Sequence, residues 1–376
     1  MDFTPVINYV TNVLHKEKGV PGCDLKIVQN HKTLLRYSCG YSDYEGKQEV
    51  SDTDLYYMYS CTKLVTCVAA LQLIEKGIIS LEDPVYKYIP SFKNVFLIKD
   101  GKRVAPKTTM TLWHLFTMSA GLTYNIDAKP LQEFIAANPC AGTVDIVSAI
   151  ALSPIDFEPG EMFQYSLCHD VLAAVVEVAS GMKFSEYLKQ NIFQPLGMNS
   201  TAFNEELIPV GKLAAQYQCV GSKVEPLNNG NPFTLAKNYE SGGAGLISTV
   251  DDFSLFAAAL ACGGVGANGA KILKEETIRL MATEQLSSYT MKNNFSCAAG
   301  EGYGYGLGVR TLIDKSQGQR SSLGEFGWDG AAGSYIMIDP KENLSIFFSM
   351  HVRNWPALIG CAHAPIRDLT YDILGL

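Results

Sequence analysis

Tyr57-Met58-Tyr59-Ser60-Cys61-Thr62-Lys63-Leu64-Val65-Thr66 carries the pattern S-x-x-K where an apolar helix begins. The pattern predicts a helix from about Cys61 to Lys76, closed by Gly77. Residues three apart share a helix face, so Lys63 can reach the Ser60 hydroxyl. A serine hydroxyl is a poor nucleophile until a neighbour takes its proton. A lysine buried near other cations or dipoles loses proton affinity and can act as that base or relay. The helix N-terminus also offers the Ser60 N–H to a developing oxyanion. By itself the pattern equally fits a solvated lysine beside a helix-opening serine. A second copy, Ser180-Gly181-Met182-Lys183, reads as the C-cap of a helix.

Outward from this helix, strands lie at both ends of the chain and helices fill its middle. Val6, Val10, Val13 and Leu14 form one face of an N-terminal helix. Asp24 to Gln29 and Thr33 to Ser38 read as a hairpin turned at Asn30-His31-Lys32. Helices are expected at Thr111 to Met118, Leu131 to Ala137, Val144 to Ala151, His169 to Ala179, Phe184 to Gln194, Val250 to Ala261 and Lys274 to Glu284. Tyr303 to Leu312, Ser334 to Ile338 and Leu344 to His351 read as strands, and Pro356 to Leu374 as a final helix. The simplest packing is α+β: one mainly antiparallel sheet from the terminal strands, covered by helices, with a helical lobe inserted. The expected division is an α/β lobe of about residues 1–80 and 240–376 and a helical lobe of about 81–239. A site at their seam is the usual place for a pocket.

Composition narrows the function. A net charge of −8 with scattered basic residues argues against a nucleic-acid partner, which needs clustered Lys and Arg. No segment approaches the ~20 apolar residues of a membrane span, and the N-terminus does not read as a signal peptide. The ten cysteines contain no C-x-x-C pair and read as reduced thiols in a cytoplasmic protein. No histidine pairs at metal-ligand spacing, so no metal site and no cofactor is expected.

Two further elements share the nucleophile's chemistry. Phe163-Gln164-Tyr165-Ser166-Leu167 precedes a helix, and Tyr165 could enter the pocket from the helical lobe. Lys63 nearby would favour its phenolate, letting it take the Ser60 proton and pass it to the leaving group. A tyrosine packed in the core is the alternative, since the chain has 19. Phe326-Gly327-Trp328-Asp329-Gly330-Ala331 is glycine-rich and leads into an apolar strand. An edge strand here could supply the Ala331 N–H as a second oxyanion donor; a glycine-rich hairpin with a packed tryptophan is the alternative. His169 and Asp170 read as residues of a helix start, Asp170 favoured there by its charge.

Together, in this order, these elements resemble the serine β-lactamase and penicillin-binding-protein superfamily, in its class C-like branch, and most closely the family VIII carboxylesterases. His114-Leu115-Phe116-Thr117-Met118-Ser119-Ala120-Gly121-Leu122, Phe157-Glu158-Pro159-Gly160, Gly242 to Thr249 and Gly304 to Gly308 extend the resemblance over nearly the whole chain. It implies the β-lactamase/transpeptidase-like fold. It also implies Ser60 as acylated serine, Lys63 as its partner, Tyr165 as general base, and an oxyanion hole from Ser60 and Ala331. Leu167 stands where many relatives have asparagine. Trp328-Asp329-Gly330 stands where many have K-T-G or H-x-G, and is similar to the esterase branch. Leu167, Trp328, Asp329 and Gly330 are therefore the expected substrate-binding positions, with Asp329 repelling anions. The implied function is hydrolysis of small, neutral or cationic esters, with amides and weakly turned-over β-lactams beside them. An acyltransferase, a D-aminoacyl peptidase or β-lactamase using the same acyl-enzyme, and a non-catalytic sensor remain as alternatives.

Overall fold

Asn30 and His31 both adopt positive φ, 49° and 61°, the conformation that a two-residue hairpin turn demands. They join β1 (Gly22–Gln29) to β2 (Lys32–Gly40). The other edge of β1 pairs antiparallel with a strand from the far end of the chain, with Leu25 opposite Phe348 and Ile27 opposite Ile346. The computed structural model describes residues 1–203, 212–221, 223–286, 288–299, 301–317, 319–356 and 358–376. Five C-terminal strands complete the sheet: β3 (Tyr303–Tyr305), β4 (Arg310–Leu312), β5 (Phe326–Asp329), β6 (Tyr335–Asp339) and β7 (Leu344–Ser349). Their order is β2-β1-β7-β6-β5-β4-β3, antiparallel throughout.

Alternation along the strands gives the sheet two apolar faces. Leu25, Ile27, Met337 and Ile346 pack beneath the two terminal helices. These are α1 (Thr4–Asn8), which continues as a wider-turned helix over Tyr9–Glu17, and α8 (Ala364–Leu374). Val6, Val10 and Leu14 are fully buried there, while Val13 is only half-buried. On the other face Phe347 meets Phe253 of α7 (Val250–Ala261), ring centroids 5.0 Å apart.

The helix that carries the S-x-x-K pattern, α2 (Thr62–Glu75), is buried at every residue from Thr62 to Leu73. A helix apolar all round belongs in the centre of a core. It packs against α6 (Cys168–Ser180), which Gly181 ends at φ +70°. Around them stand α3 (Leu112–Phe116), α4 (Lys129–Ala137) and α5 (Thr143–Ile150). The mixed antiparallel-sheet and helix architecture is the α+β arrangement expected from the sequence.

Several local expectations change. Tyr303 to Leu312 is not one strand but a tight reversal between β3 and β4. A Cβ on Gly306 would lie 2.0 Å from the Met281 carbonyl, and one on Gly308 2.2 Å from Cys67 Sγ. Only glycine permits so close an approach. The expected 274–284 helix shortens to Glu275–Met281. Phe184 to Gln194 is a helix that widens over Lys189–Phe193 and runs to Leu196. The sequence reading also passed over a helix at Tyr289–Ala299 and an exposed hairpin, Leu97–Lys99 with Lys102–Val104. Among the described residues no helix is long and apolar enough to cross a membrane.

Candidate active site

Ser60 sits on a single tight helical turn, Tyr59–Cys61, that leads into α2. The residue before it, Tyr59, has φ +45°, a conformation costing a non-glycine residue about 1–3 kcal/mol. Its surroundings hold it there. The Tyr59 hydroxyl donates to Gln216, its ring meets Phe233 edge-on at 6.3 Å, and Met58 N–H donates to the Leu246 carbonyl at 2.9 Å. The strained turn leaves Ser60 at the start of α2, 9% exposed.

Lys63, on the first turn of α2, is wholly buried. Its ammonium has three N–H donors and three acceptors: Ser60 Oγ at 3.2 Å, the Tyr124 hydroxyl at 3.1 Å and the Gly243 carbonyl at 2.7 Å. Burial lowers its pKa to about 8, partly opposed by the nearby charge of Asp170. Asp170 does more than favour a helix start. Its Oδ1 accepts from Tyr239 at 2.6 Å, Ser241 at 2.6 Å and the Gly243 N–H at 3.2 Å. It thereby fixes the loop whose carbonyl holds Lys63. Added Cβ atoms on Gly242 and Gly243 would each lie 2.4 Å from a neighbour, Ala173 and Asp170. The Gly-Gly pair is thus a close-approach motif.

Tyr165 arrives from the helical side on a braced loop. Gly160 N–H donates to the Ser119 carbonyl, and Gln164 N–H to that of Met118, each at 2.8 Å. The His114 to Leu122 and Phe157 to Gly160 segments are therefore two halves of one brace. The Tyr165 ring stacks between Tyr124 (5.5 Å, 19°) and Trp328 (5.5 Å, 23°). Trp328 Nε1–H donates to the Tyr165 oxygen at 3.0 Å. Both phenols interact with the Ser60 hydroxyl, and the Lys63 nitrogen lies 4.7 Å from the Tyr165 ring centroid. Burial pushes the Tyr165 phenol far above its ordinary pKa, outweighing hydrogen bonds from Ser60 and Trp328. Burial therefore favours the neutral phenol rather than the expected phenolate. Tyr124 was missed in the sequence. Its position, two residues beyond Leu122, was its only signal.

The third element is β5. It is an interior strand through Gly327, with β4 on one side and β6 on the other, but its β4 partner ends there and leaves Trp328 and Asp329 open on that side. Gly330 presses on the backbone before the nucleophile, its notional Cβ 2.5 Å from the Met58 carbonyl. Ala331 follows, exposed, and its N–H takes no backbone partner among the described residues. Asp329 does not present a free negative charge as expected, because Arg310 Nη1 donates to it at 2.8 Å. Leu167, expected at the substrate, is 3% exposed in the helical core. A leucine before an apolar helix start is drawn inward by burial. Ser60, Lys63, Tyr165 and Trp328 do come together. No group of three His, Cys, Asp or Glu residues among those described is placed to hold a metal.

Comparison with known proteins agrees with this geometry. The family model described as Beta-lactamase matches residues 8–360. Esterase EstB of Burkholderia gladioli is 25% identical over 379 residues, covering 95% of this chain and 92% of the esterase. Two solved structures superpose over nearly their full lengths. EstCE1, described as a hydrolase with promiscuous acyltransferase activity, is 24% identical, with a TM-score of 0.81 over 98% of this chain and 99% of its own. Simvastatin synthase LovD of Aspergillus terreus is 20% identical, with a TM-score of 0.81 over 99% of each chain. With the S-x-x-K helix, the tyrosine loop and the glycine-rich strand meeting at one hydroxyl, the chain belongs to the beta-lactamase family, as a serine hydrolase of that fold.

Proposed function

We propose that the protein hydrolyses small esters through an acyl-enzyme on Ser60. The observation that carries this reading is the Ser60 hydroxyl held by Lys63 and flanked by two phenols. Of the three titratable groups around Ser60, Lys63 has a pKa lowered to about 8 while both phenols are raised, so its neutral fraction takes the Ser60 proton as Oγ attacks the ester carbon. The Ser60 and Ala331 N–H groups receive the oxyanion. The Tyr165 phenol gives its proton to the departing alkoxide, and the new Lys63 ammonium restores it. Water then repeats the sequence on the acyl-enzyme, releasing the acid and Ser60. Free thiols at nine positions, Cys23 and its strand neighbour Cys39 among them, fit a reducing, cytoplasmic setting.

The likeness to EstCE1, with its promiscuous acyltransferase activity, supports a second outcome, transfer of the acyl group to an alcohol. The test is intact mass after a fluorophosphonate, beside turnover of a p-nitrophenyl ester panel with and without added alcohols. A Ser60-dependent adduct and ester turnover are expected. Absence of an adduct, or an adduct retained in Ser60→Ala, overturns the reading.

A further inference from the structure

His351 lies just beyond the end of β7, 2% exposed, with φ +53°. A non-glycine residue stays in that conformation only where its surroundings over-determine it. Here both ring nitrogens are engaged. Nε2 accepts from the Tyr57 N–H at 3.3 Å, and Nδ1 lies 2.9 Å from the Ala214 carbonyl. A carbonyl only accepts and an amide N–H only donates, so the ring carries its proton on Nδ1. Burial lowers its pKa to about 4, which keeps the ring neutral near neutral pH. The Tyr56 ring meets it edge-on at 5.6 Å, and the Tyr57 ring packs against it at 5.5 Å.

Each of these contacts leads to the nucleophile. Tyr57 stands two residues before the strained Tyr59 and three before Ser60. Ala214 lies two residues before Gln216, which accepts from the Tyr59 hydroxyl. The His351 carbonyl accepts from the Tyr217 N–H at 3.0 Å, so ring and backbone hold the same segment. The neighbours of His351 hold the other side of the site. Val352 N–H donates to the Ala332 carbonyl at 2.8 Å. Met350 packs on Gly333, whose notional Cβ would lie 2.5 Å from Met350 Cγ. Three consecutive residues thus join the turn that carries Ser60 to the turn that carries Ala331.

We propose that His351 is a positioning residue for the oxyanion hole: its imidazole, donating from Nδ1 and accepting at Nε2, sets the Ser60 N–H at the spacing from the Ala331 N–H that a tetrahedral oxyanion needs. The inference rests on the reading of those two N–H groups as the oxyanion donors. Such donors act on charge that develops in the transition state, so their spacing governs kcat rather than KM.

The test compares His351→Asn with His351→Gln on one p-nitrophenyl ester. The Asn amide stands where Nδ1 does and keeps the bond to Ala214 alone. The Gln amide is one bond longer and brings its oxygen to the Tyr57 N–H. His351→Asn should lower kcat by about tenfold or more at nearly constant KM, and His351→Gln should recover most of that loss. Phenylboronic acid, which becomes tetrahedral on adding the Ser60 oxygen, should bind the His351→Asn protein more weakly by the same factor. A second measurement needs no variant: nitrogen NMR of the wild-type protein, labelled in histidine, should show the His351 proton on Nδ1 near neutral pH. Unchanged kcat in His351→Asn, a rise in KM alone, boronate affinity kept while kcat falls, His351→Gln no faster than His351→Asn, or a proton on Nε2 overturns the proposal alone. Ala331→Pro deletes the Ala331 N–H and should lower kcat and boronate affinity together. Wild-type values in Ala331→Pro overturn the parent reading and this one with it.

Discussion

Lys63 reaches Ser60 from a position with no solvent contact, its nitrogen 3.2 Å from the serine oxygen. Burial is what brings its pKa to about 8, and the acceptor form is the neutral amine. Ester kcat/KM should therefore fall about tenfold per pH unit below 8 and level off above it. A pH–rate profile on a neutral ester checks this. A profile flat from pH 6 to 9 would remove Lys63 as the titrating base.

Tyr165 is expected to matter more than its indole partner. Tyr165→Phe deletes the proton carried to the leaving group and should lower kcat by about 10² or more. Trp328→Phe keeps an aromatic ring but loses the N–H bonded to Tyr165 at 3.0 Å, and should cost about tenfold, the worth of one hydrogen bond. Steady-state kinetics on both variants decide the order. Equal losses would mean that Trp328 acts on the reaction directly.

Tyr124 and Asp170 both favour the Lys63 ammonium, one as acceptor and one as nearby charge. Removing either stabilises the neutral amine relative to the cation. The acidic limb of the pH–rate profile should move to lower pH in Tyr124→Phe and in Asp170→Asn. Asp170→Asn also weakens the bonds to Ser241 and Gly243, and should destabilise the fold by about 1–3 kcal/mol. Urea unfolding alongside the profile separates the two effects.

Gly308 has φ +84° and stands against Cys67. Gly308→Ala should destabilise by about 2 kcal/mol, combining overpacking with an unfavourable backbone. Adding Cys67→Ala should restore part of that loss, since it relieves the contact and leaves the φ unchanged. A double-mutant unfolding cycle measures the split.

The four residues that meet at the site were legible as candidates because each sits at a local signal: a helix start for Ser60 and Lys63, a helix approach for Tyr165, a glycine run for Trp328. Val250–Ala261 was likewise readable, because Thr249 caps it and accepts from Asp252 N–H. What escaped was relational. Arg310 opposite Gly327 and beside Asp329 is a matter of strand register, and no local pattern encodes that pairing. Asp170 looked like a favourable first-turn charge until the loop from Tyr239 to Gly243 closed over it. The ionisation of Tyr165 is likewise not a local property, because the two rings stacked on it, Tyr124 and Trp328, lie far away in the chain.

The ladder in which Asp24 meets Ser349 has a consequence for biosynthesis. The first hairpin leaves the ribosome with one edge unpaired, and its partner, Leu344 to Ser349, is translated about three hundred residues later. Until then an open strand edge is exposed to other chains. Nascent protein should therefore depend on holding factors during synthesis, and premature termination before residue 344 should yield aggregates rather than a smaller folded unit.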